Sequence, residues 1–314
     1  MISKKYKLDK FMKLTSDTAF HELFARAEYK ELLCCLLALY FNEPYKKIYD
    51  NIEYITPDLP IDQFNKYKYE VDILVCYNST LIGIELNGQY WTGLYNRNLG
   101  YLTDGYSNQF KKGSTRVDFR NAKPHIQLNI NNYNFPEGEE LGIFRFFNIF
   151  NFKQLTDQLE IHHLNLDKVI ERCYTDISKL KGYQKVGLLM SSKSLEDVEM
   201  ICKDVMPDED LKKIIERIYE LNANPNLWLL YDKEDLERQK RESIEIDSLK
   251  NGMILGKEKG KKEGLKEGKE EGLKEGRQEE KIEIARKMLE KNTDVKFISD
   301  VTGLTIDEIN DIKN

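Results

Sequence analysis

The sequence predicts an α/β or α+β domain followed by a helical appendage. Short runs of alternating polarity, typical of half-buried strands, are mixed with helical segments up to about residue 166. From about Asp167 onward, apolar residues recur at helical spacing. A chain of 314 residues, 40% of them hydrophobic, can bury a real core, and its length suggests about two domains. Mixed elements followed by a helical half predict this architecture.

The first helical region covers residues 14–42, as one helix or as two. Ser16 or Asp17 is suited to cap its start, and Phe20 begins an apolar face at helical spacing. Pro44 follows the end of this region. Residues 45–68 are mixed, with prolines that indicate loops.

Two strand-like runs then predict a β-hairpin. The runs Tyr69–Tyr77 and Thr80–Asn87 are separated only by Asn78–Ser79. A two-residue loop would pair the last residue of the first run with the first residue of the second run. A four-residue loop gives the same pairing, whereas a three-residue loop would break it.

The hairpin register brings two acids together. Counting back from the loop places Asp72 directly opposite Glu85, with Cβ atoms about 4.5–5.5 Å apart. Like charges at this distance are unfavourable unless a positive charge lies between them, and a hard divalent cation takes carboxylate oxygens. Glu70 falls opposite Asn87 in the same register and is an auxiliary candidate. The alternative is that both acids are partly exposed polar strand positions.

The remaining segments are assigned by periodicity. The pattern predicts a helix over Asn96–Phe110; strands over His125–Asn131, Gly142–Phe152 and Leu159–Leu166; and helices over Val169–Leu180, Leu195–Val205 and Asp208–Leu221. His162 and His163 are adjacent on a predicted strand, so they point to opposite faces and are unsuited to share a metal.

The hairpin is followed by basic residues interleaved with aromatic residues. From Arg97 to Lys123 there are six basic and two acidic residues, although the whole chain carries a formal charge of −6. Cations neutralise phosphates and rings stack on bases, so the pattern favours a nucleic-acid path. The alternative is a solvated helix face with core aromatics. The candidate contacts are Arg97, Lys111, Lys112 and Arg116.

The C-terminal tail has a glycine at every fourth position from Gly256 to Gly276. Nine basic and eight acidic residues over Lys257–Lys281 nearly cancel, so this is not a polybasic arm. Each glycine costs about 0.8–1 kcal/mol relative to alanine in a helix. The segment is therefore interpreted as a semi-ordered linker or as a helix that packs against a copy of itself.

The last residues read as an amphipathic helix over Lys281–Lys291 and a helix–Gly–helix unit around Gly303. This ending is similar to a helix-turn-helix. Acidic residues in the last helix, Asp307 and Glu308 among them, are poor neighbours for phosphates. Packing or oligomerisation is the alternative to DNA reading.

Composition and cysteine spacing argue against several classes of protein. The negative charge argues against coating nucleic acid by bulk charge. Five cysteines without Cys-x-x-Cys spacing indicate reduced thiols in a cytoplasmic protein. No cleavable signal opens the chain, and the longest apolar run, Leu32–Phe41, is too short to span a bilayer.

The motifs together resemble a known family. Asp72 followed by Glu85-Leu86-Asn87 is similar to the PD-(D/E)xK nuclease signature. Leu14–Phe24, Ile82–Asn87, Tyr106–Gly113 and the Lys-Glu-Gly repeats, in this order, resemble the recombination-promoting nuclease/putative transposase family. The resemblance covers nearly the whole chain and is strongest from residue 14 to about 166.

This resemblance implies a restriction-endonuclease-like core, a mixed sheet flanked by helices, with a helical C-terminal extension. It implies a Mg²⁺-dependent DNA endonuclease in which Asp72 and Glu85 hold the metal, with Mn²⁺ as a substitute. Asn87 takes the place of the signature lysine, and Lys111 or Lys112 would supply the missing charge. Asp17 would add a further carboxylate. Recombination or a mobile element is the implied setting.

The expected organisation is a nuclease core over 1–166, a helical region over 167–250, a repeat linker or helix over 251–280, and a small helical hairpin over 281–314. Two rival functions remain: a non-catalytic DNA-binding or assembly protein on the same scaffold, suggested by the neutral Asn87, and an oligomeric scaffold that acts through the tail.

Overall fold

The computed structural model describes residues 2–55, 71–110, 113–133, 138–171 and 176–313. Its helices are α1 (Asp17–Phe24), α2 (Glu31–Phe41), α3 (Tyr45–Asn51), α4 (Leu94–Ser107), α5 (Arg116–Arg120), α6 (Leu166–Glu171), α7 (Gly182–Met190), α8 (Leu195–Cys202), α9 (Asp208–Ala223), α10 (Pro225–Glu290), α11 (Val295–Thr302) and α12 (Ile306–Lys313). Its strands are β1 (Ile52–Tyr54), β2 (Ile73–Tyr77), β3 (Thr80–Asn87), β4 (His125–Asn131), β5 (Leu141–Phe144) and β6 (Leu159–Asn165).

The strands form one mixed sheet in the order β1-β2-β3-β4-β6-β5. The pairs β3–β4 and β4–β6 are parallel, whereas β1–β2, β2–β3 and β5–β6 are antiparallel. Parallel neighbours need a crossover, and helices α4 and α5 lie between β3 and β4 in the chain. The predicted mixed sheet flanked by helices, with a helical C-terminal extension, is confirmed.

The first helical region is two helices with a short 3₁₀ turn between them at Ala27–Tyr29. The hydroxyl of Ser16 accepts a hydrogen bond from the N–H of Ala19 at 3.1 Å, which caps the start of α1 as predicted. Asn42 takes a left-handed conformation with φ 52° and ends α2.

The sheet has one apolar and one polar face. Val75, Ile84 and Leu128 lie on the apolar face and are fully buried in a core shared with α1, α2, α7, α8 and α9. The polar face carries Glu85 and Asn87, and helix α4 packs on it. Burial of the polar face keeps water from most of these groups, so the hydrogen bonds that they make go to one another and to helix α4.

Helix α4 approaches the sheet closely because of one glycine. A Cβ atom on Gly105 would lie 2.3 Å from Cε1 of His125, which is impossible without a shift. Burial lowers the pKa of His125 to about 4, so its ring is neutral. The ring then donates from Nδ1 to the carbonyl oxygen of Leu102, one turn away on α4, at 3.0 Å.

Two of the predicted elements differ from the structure. The strand expected over Gly142–Phe152 is only Leu141–Phe144, because the aromatic residues beyond it continue past the sheet. Of the helix expected over Val169–Leu180, the structure describes α6, which begins directly at the end of β6 and ends at Glu171, and a 3₁₀ turn at Ile177–Lys179; residues 172–175 lie outside the described residues. Helices α3, α5 and α7 were not predicted.

The chain divides into two compact units, Met1–Leu236 and Glu237–Asn314. The core of the first unit runs from the sheet into α9, where Ile215 and Ile218 are fully buried. The second unit has its own small core of four buried residues: Ala285, Ile298, Leu304 and Ile309.

The glycine repeat is helical and lies within α10. From Gly256 to Gly276, a Cβ added at any of the repeat glycines would meet no atom within 4 Å. The segment is fully solvated in the single chain, and its helix is held by its own hydrogen bonds and by i,i+4 pairs such as Lys259–Glu263. In the part of the chain that the structure describes, no helix combines the length and apolarity needed to cross a bilayer.

Candidate metal and nucleic-acid site

The hairpin turn is made by two residues in left-handed conformation. Asn78 has φ 46° and Ser79 has φ 60°. Two positive φ values define the two-residue turn whose twist matches that of antiparallel strands. The predicted pairing of Tyr77 with Thr80 is confirmed, and the ladder keeps this register through all five pairs of β2 and β3.

The next step of the same register places Asp72 opposite Glu85. The N–H of Asp72 donates to Oε2 of Glu85 at 3.2 Å. In the other direction, the N–H of Leu86 donates to Oδ2 of Asp72 at 2.8 Å. Each carboxylate therefore reaches across to the backbone of the opposite strand. The two acids therefore lie across from each other at the end of the hairpin ladder.

The carboxyl groups of this pair both have raised pKa values. Glu85 is 5% exposed, and burial, followed by the negative charge of Asp72, raises the pKa of its carboxyl to about 8. Asp72 is exposed as a whole residue, yet desolvation of its carboxylate raises its pKa too, against the hydrogen bond from Leu86. A bound cation would relieve this repulsion, so the donor set fits a hard divalent ion.

Arg97 on α4 lies against the acid pair. Its Nη2 is 3.1 Å from Oε1 of Glu85 and also donates to Oδ1 of Asn87. The guanidinium lies 5.8 Å from the ring centroid of Trp91 and 5.5 Å from that of Tyr101. These rings hold the cation in place. Arg97 thus brings a positive charge to the position where the side chain of Asn87 has none.

A row of asparagines extends the site across the sheet. Asn87, Asn131 and Asn165 each end a strand, and the registers align all three. Nδ2 of Asn131 lies 2.9 Å from Oδ1 of Asn165, and Nδ2 of Asn87 lies 3.0 Å from Oδ1 of Asn131. Asn131 also contacts Nδ1 of His163 at 3.3 Å. This row fixes the orientation of the Asn87 amide.

Sequence reasoning missed Asn131 and Asn165. The signal was present, since two of the strand-like runs, Thr80–Asn87 and His125–Asn131, end in asparagine, and Asn165 is the residue before the last in the run Leu159–Leu166. Parallel strands place their carboxyl ends at one edge of the sheet, so equal terminal residues predict a cluster there. The parallel pairing of these strands was not predicted. Without it, the asparagines at the strand ends could not be inferred to lie side by side.

The structure describes two of the other predicted site residues, Asp17 and Arg116. Asp17 is the first residue of α1, and its charge contributes to the raised pKa of Glu85, which places it near the pair. Arg116 is exposed on α5. Glu70, Lys111 and Lys112 lie outside the described residues.

No group of three or more His, Cys, Asp or Glu residues suited to a metal occurs among the described residues. A metal at this site would therefore rest on the two opposed carboxylates. His162 and His163 face opposite sides of β6, as predicted: His162 contacts the hydroxyl of Tyr40 on α2, and His163 packs against Tyr95 on α4.

The second unit ends in two short helices with defined caps. Asp294 accepts from the N–H groups of Lys296 and Phe297 and starts α11, and Gly303, with φ 71°, ends it. Oε2 of Glu308 accepts from the N–H of Thr305 at 2.7 Å. At least this acid of the last helix has a structural task, because it caps the start of α12.

Comparison with protein-family models gives two matches. Residues 14–246 match the model described as PD-(D/E)XK nuclease family transposase. Residues 278–314 match the model described as Rpn/YhgA-like nuclease family, C-terminal HTH domain. Comparison with curated proteins and with solved structures gave no significant match.

The first match covers about three quarters of the chain and includes the whole sheet and the acid pair. The second covers the end of α10, α11 and α12 as one helix-turn-helix, which suggests DNA binding by the second unit. The order of the motifs, the mixed sheet and the two matched models agree, and the chain belongs to the PD-(D/E)XK nuclease family of transposases.

Proposed function

We propose that this protein is a divalent-metal-dependent DNA endonuclease that hydrolyses phosphodiester bonds. The observation that carries the proposal is the pair Asp72 and Glu85, which lie across from each other at the end of the hairpin with raised pKa values and a guanidinium beside them. Carboxyl groups whose pKa values are perturbed by burial and by a neighbouring charge are typical of functional sites.

Asp72 and Glu85 would hold Mg²⁺, and Mn²⁺ is expected to substitute because both ions prefer carboxylate oxygens. When bound, the ion would supply Lewis-acid chemistry: it would polarise the scissile phosphate, lower the pKa of a water and stabilise the leaving oxygen. Asn87 would orient the attacking water through its amide, which the asparagine row holds in one position. Asp17 and Glu70 remain auxiliary candidates.

Arg97 would supply the positive charge that Asn87 lacks. Its guanidinium already contacts the side chains of both Glu85 and Asn87. A planar guanidinium matches the oxygens of a phosphate and keeps its charge at every working pH. Arg97 therefore takes the role that sequence reasoning assigned to Lys111 or Lys112, in addition to its predicted contact with nucleic acid. Lys111, Lys112 and Arg116 remain candidate backbone contacts.

Nicking of supercoiled plasmid DNA tests the proposal. Wild-type protein should relax the plasmid with Mg²⁺ or Mn²⁺ and not with EDTA. Asp72→Asn and Glu85→Gln should each lower the rate by at least about a hundredfold, because each removes a charge from the metal site. Asp50→Asn, on the exposed surface of α3, is the matched control. Wild-type rates from both site variants would disprove the assignment.

A second experiment tests Arg97 separately. Arg97→Gln should lower the cleavage rate, and Arg97→Lys should restore part of it. Adding Asn87→Lys to Arg97→Gln would rebuild the signature lysine on β3, and it should recover activity if the missing element is charge. No recovery, with normal folding, would assign Arg97 to holding Glu85 and Asn87 in place.

A non-catalytic DNA-binding protein is the second candidate. It is favoured by the neutral Asn87 and by the absence of a third metal-ligating group among the residues described around the acid pair. This candidate predicts DNA retention that depends on Arg97 and is indifferent to metal. Titration of Mg²⁺ in a gel-shift assay with intact duplex and with both acid variants separates the two functions.

The biological setting proposed is DNA recombination or a mobile element, in line with the transposase family. DNA is the proposed partner of both units. A cytoplasmic location remains a prediction, supported by the described cysteines Cys34, Cys35, Cys76 and Cys202, all of which are free thiols. A homo-oligomer through the glycine-striped part of α10 also remains a prediction, and truncation near residue 255 followed by sizing would test it.

A further inference from the structure

We propose that Trp91 is a stacking platform for an unpaired base beside the acid pair, so that the DNA bound at this site carries an unpaired nucleotide. The inference rests on the proposed function, because it names the class of DNA that the nuclease site accepts. Trp91 lies in the connection between β3, which ends at Asn87, and α4, which begins at Leu94. It therefore follows the strand that carries Glu85.

The backbone that follows Trp91 fixes the position of its ring. Gly93 has φ 104°, and the N–H of Leu94 donates to the carbonyl oxygen of Trp91 at 3.1 Å. A Cβ atom on Gly93 would lie 2.9 Å from Cζ3 of the indole, so the ring lies directly against this turn. Glycine alone combines this φ with room for the ring. The indole is therefore held in place by the chain itself, before any ligand binds.

A large part of this fixed ring is nevertheless open to solvent. Trp91 is 46% exposed. A tryptophan gains most from being buried, because it is the largest apolar side chain, and a rigid, half-exposed tryptophan is typical of a binding surface. The exposed part of the indole is therefore available to a flat partner such as a base.

Arg97 connects the ring to the acid pair. Its Cζ lies 5.8 Å from the ring centroid of Trp91, and its Nη2 lies 3.1 Å from Oε1 of Glu85. The ring centroid is therefore no more than about 10 Å from the Glu85 carboxylate. Over this distance, a base stacked on the ring and a phosphate at the acid pair can belong to the same strand.

The charges beside the ring favour nucleic acid as the occupant. A guanidinium matches the oxygens of a phosphate, and Arg97 presents one between the ring and the two carboxyl groups. An apolar protein surface docked on Trp91 would have to bury Arg97 and the acid pair away from water, which is costly. A nucleotide supplies both partners at once, a flat base for the ring and an anion for the cation.

The partner base must be unpaired. In an intact duplex both faces of each base are covered by the neighbouring bases of the stack, so an aromatic ring held on a protein surface does not reach them. A single strand, or a base turned out of the duplex, presents its face. Stacking on an aromatic side chain then tightens binding by about 5- to 100-fold per base.

Fluorescence quenching in EDTA tests the proposal without cleavage. Trp91 and Trp228 are the two tryptophans of the chain, so Trp91→Phe leaves Trp228 as the internal control. Unlabelled single-stranded oligothymidylate of about 16 nucleotides should quench the wild-type protein. Trp91→Phe should bind the strand with little change, because phenylalanine also stacks, and should lose the quenching.

Fluorescence polarisation of labelled DNA gives the second measurement. Trp91→Ala should raise the dissociation constant about 5- to 100-fold for the single strand and for a duplex with a central run of unpaired thymines, and should leave that of a fully paired duplex unchanged. Tyr101→Ala, which removes the other ring beside Arg97, is the matched control, and its effect should be equal on paired and unpaired DNA.

Three results would overturn the inference: no binding of the single strand, binding that leaves the wild-type fluorescence unchanged, or an equal loss on all three DNAs in Trp91→Ala. The last result would reduce Trp91 to a support for Arg97. Plasmid nicking tests the proposed function separately, so quenching without nicking would refute the nuclease and leave the base platform in place. Circular dichroism confirms folding, and Trp91→Leu replaces Trp91→Ala under the same criteria if the alanine variant is unfolded.

Discussion

Replacing Glu85 by glutamine should change how the stability of the first unit depends on pH. Glu85 has a normal pKa of 4.5, and burial together with the charge of Asp72 raises it to about 8 in the folded chain. Between these values the folded state binds a proton that the unfolded state releases. The stability linked to this group is therefore fully present below pH 4.5 and is lost as the pH rises through about 8.

The size of the effect follows from the same values. At about 1.4 kcal/mol per pH unit, the interval from 4.5 to about 8 sets an upper bound of about 5 kcal/mol. Relaxation and water access at the open end of the site reduce this, and we expect a loss of about 1–3 kcal/mol in the wild-type chain between pH 5 and pH 9 without metal. Glu85→Gln should remove most of that loss.

Urea unfolding in EDTA at pH 5, 7 and 9, followed by tryptophan fluorescence, measures the effect. Both tryptophans, Trp91 and Trp228, lie in the first unit, so the signal reports that unit alone. In a parallel series with Mg²⁺, the wild-type chain should gain stability most strongly at pH 9, because metal competes with the proton for the carboxylate. Glu85→Gln should gain none.

Glu199→Gln is the matched control. Burial alone would raise the pKa of Glu199, but hydrogen bonds to its carboxylate from Ser3 and from the N–H of Ile2 hold the pKa below its usual value. The contribution of the Glu199 carboxylate to the free energy of unfolding is lost only as the pH falls through that lowered pKa. Compared with wild type, Glu199→Gln should therefore be less stable by about the same amount at pH 7 and at pH 9. If wild type and Glu85→Gln show the same dependence between pH 5 and pH 9, the account of the acid pair is wrong.

Four further substitutions test the packing within each of the two units. Gly105→Ala should cost about 1–3 kcal/mol, because the new methyl group would lie 2.3 Å from the His125 ring, whereas Gly260→Ala in open solvent should strengthen α10 by about 1 kcal/mol; urea unfolding and circular dichroism measure the two opposite signs. Asn131→Ala should cost about 1–3 kcal/mol in urea unfolding, because it leaves buried amides without partners, and equal stability would show that the asparagine row is not coupled. Ile298→Ala should cost about 2–5 kcal/mol in the small second core and lower a separate calorimetric transition, while the tryptophan transition stays in place.

The hairpin is the part of the site that was predicted from the sequence. A two-residue turn and a period of two leave one register, and that register sets Asp72 opposite Glu85. The cap at Ser16 and the end of the helical region before Pro44 were predicted for the same reason. In each case the deciding interactions join residues close together in the chain.

The parts that were not predicted depend on contacts between elements distant in the chain. The predicted strand over Gly142–Phe152 has the right residue types, but a strand also needs a hydrogen-bonding partner, and β6 supplies one only up to Phe144. Helix α7 was missed because its pattern Gly182–Met190 is short and carries two glycines, and it is stabilised by packing against α2.

The sequence by itself determined the local backbone around the site: the hairpin turn, the strand period and the cap of the first helix, and therefore the position of Asp72 opposite Glu85. The tertiary structure alone decided that α4 covers the polar face of the sheet and brings Arg97 to Glu85 and Asn87. Local geometry follows from dihedral preferences and nearby hydrogen bonds, which act over a few residues. The placement of a helix on a sheet depends on the free energy of burying many side chains. These side chains come from segments that are far apart in the chain, so no single segment predicts the placement.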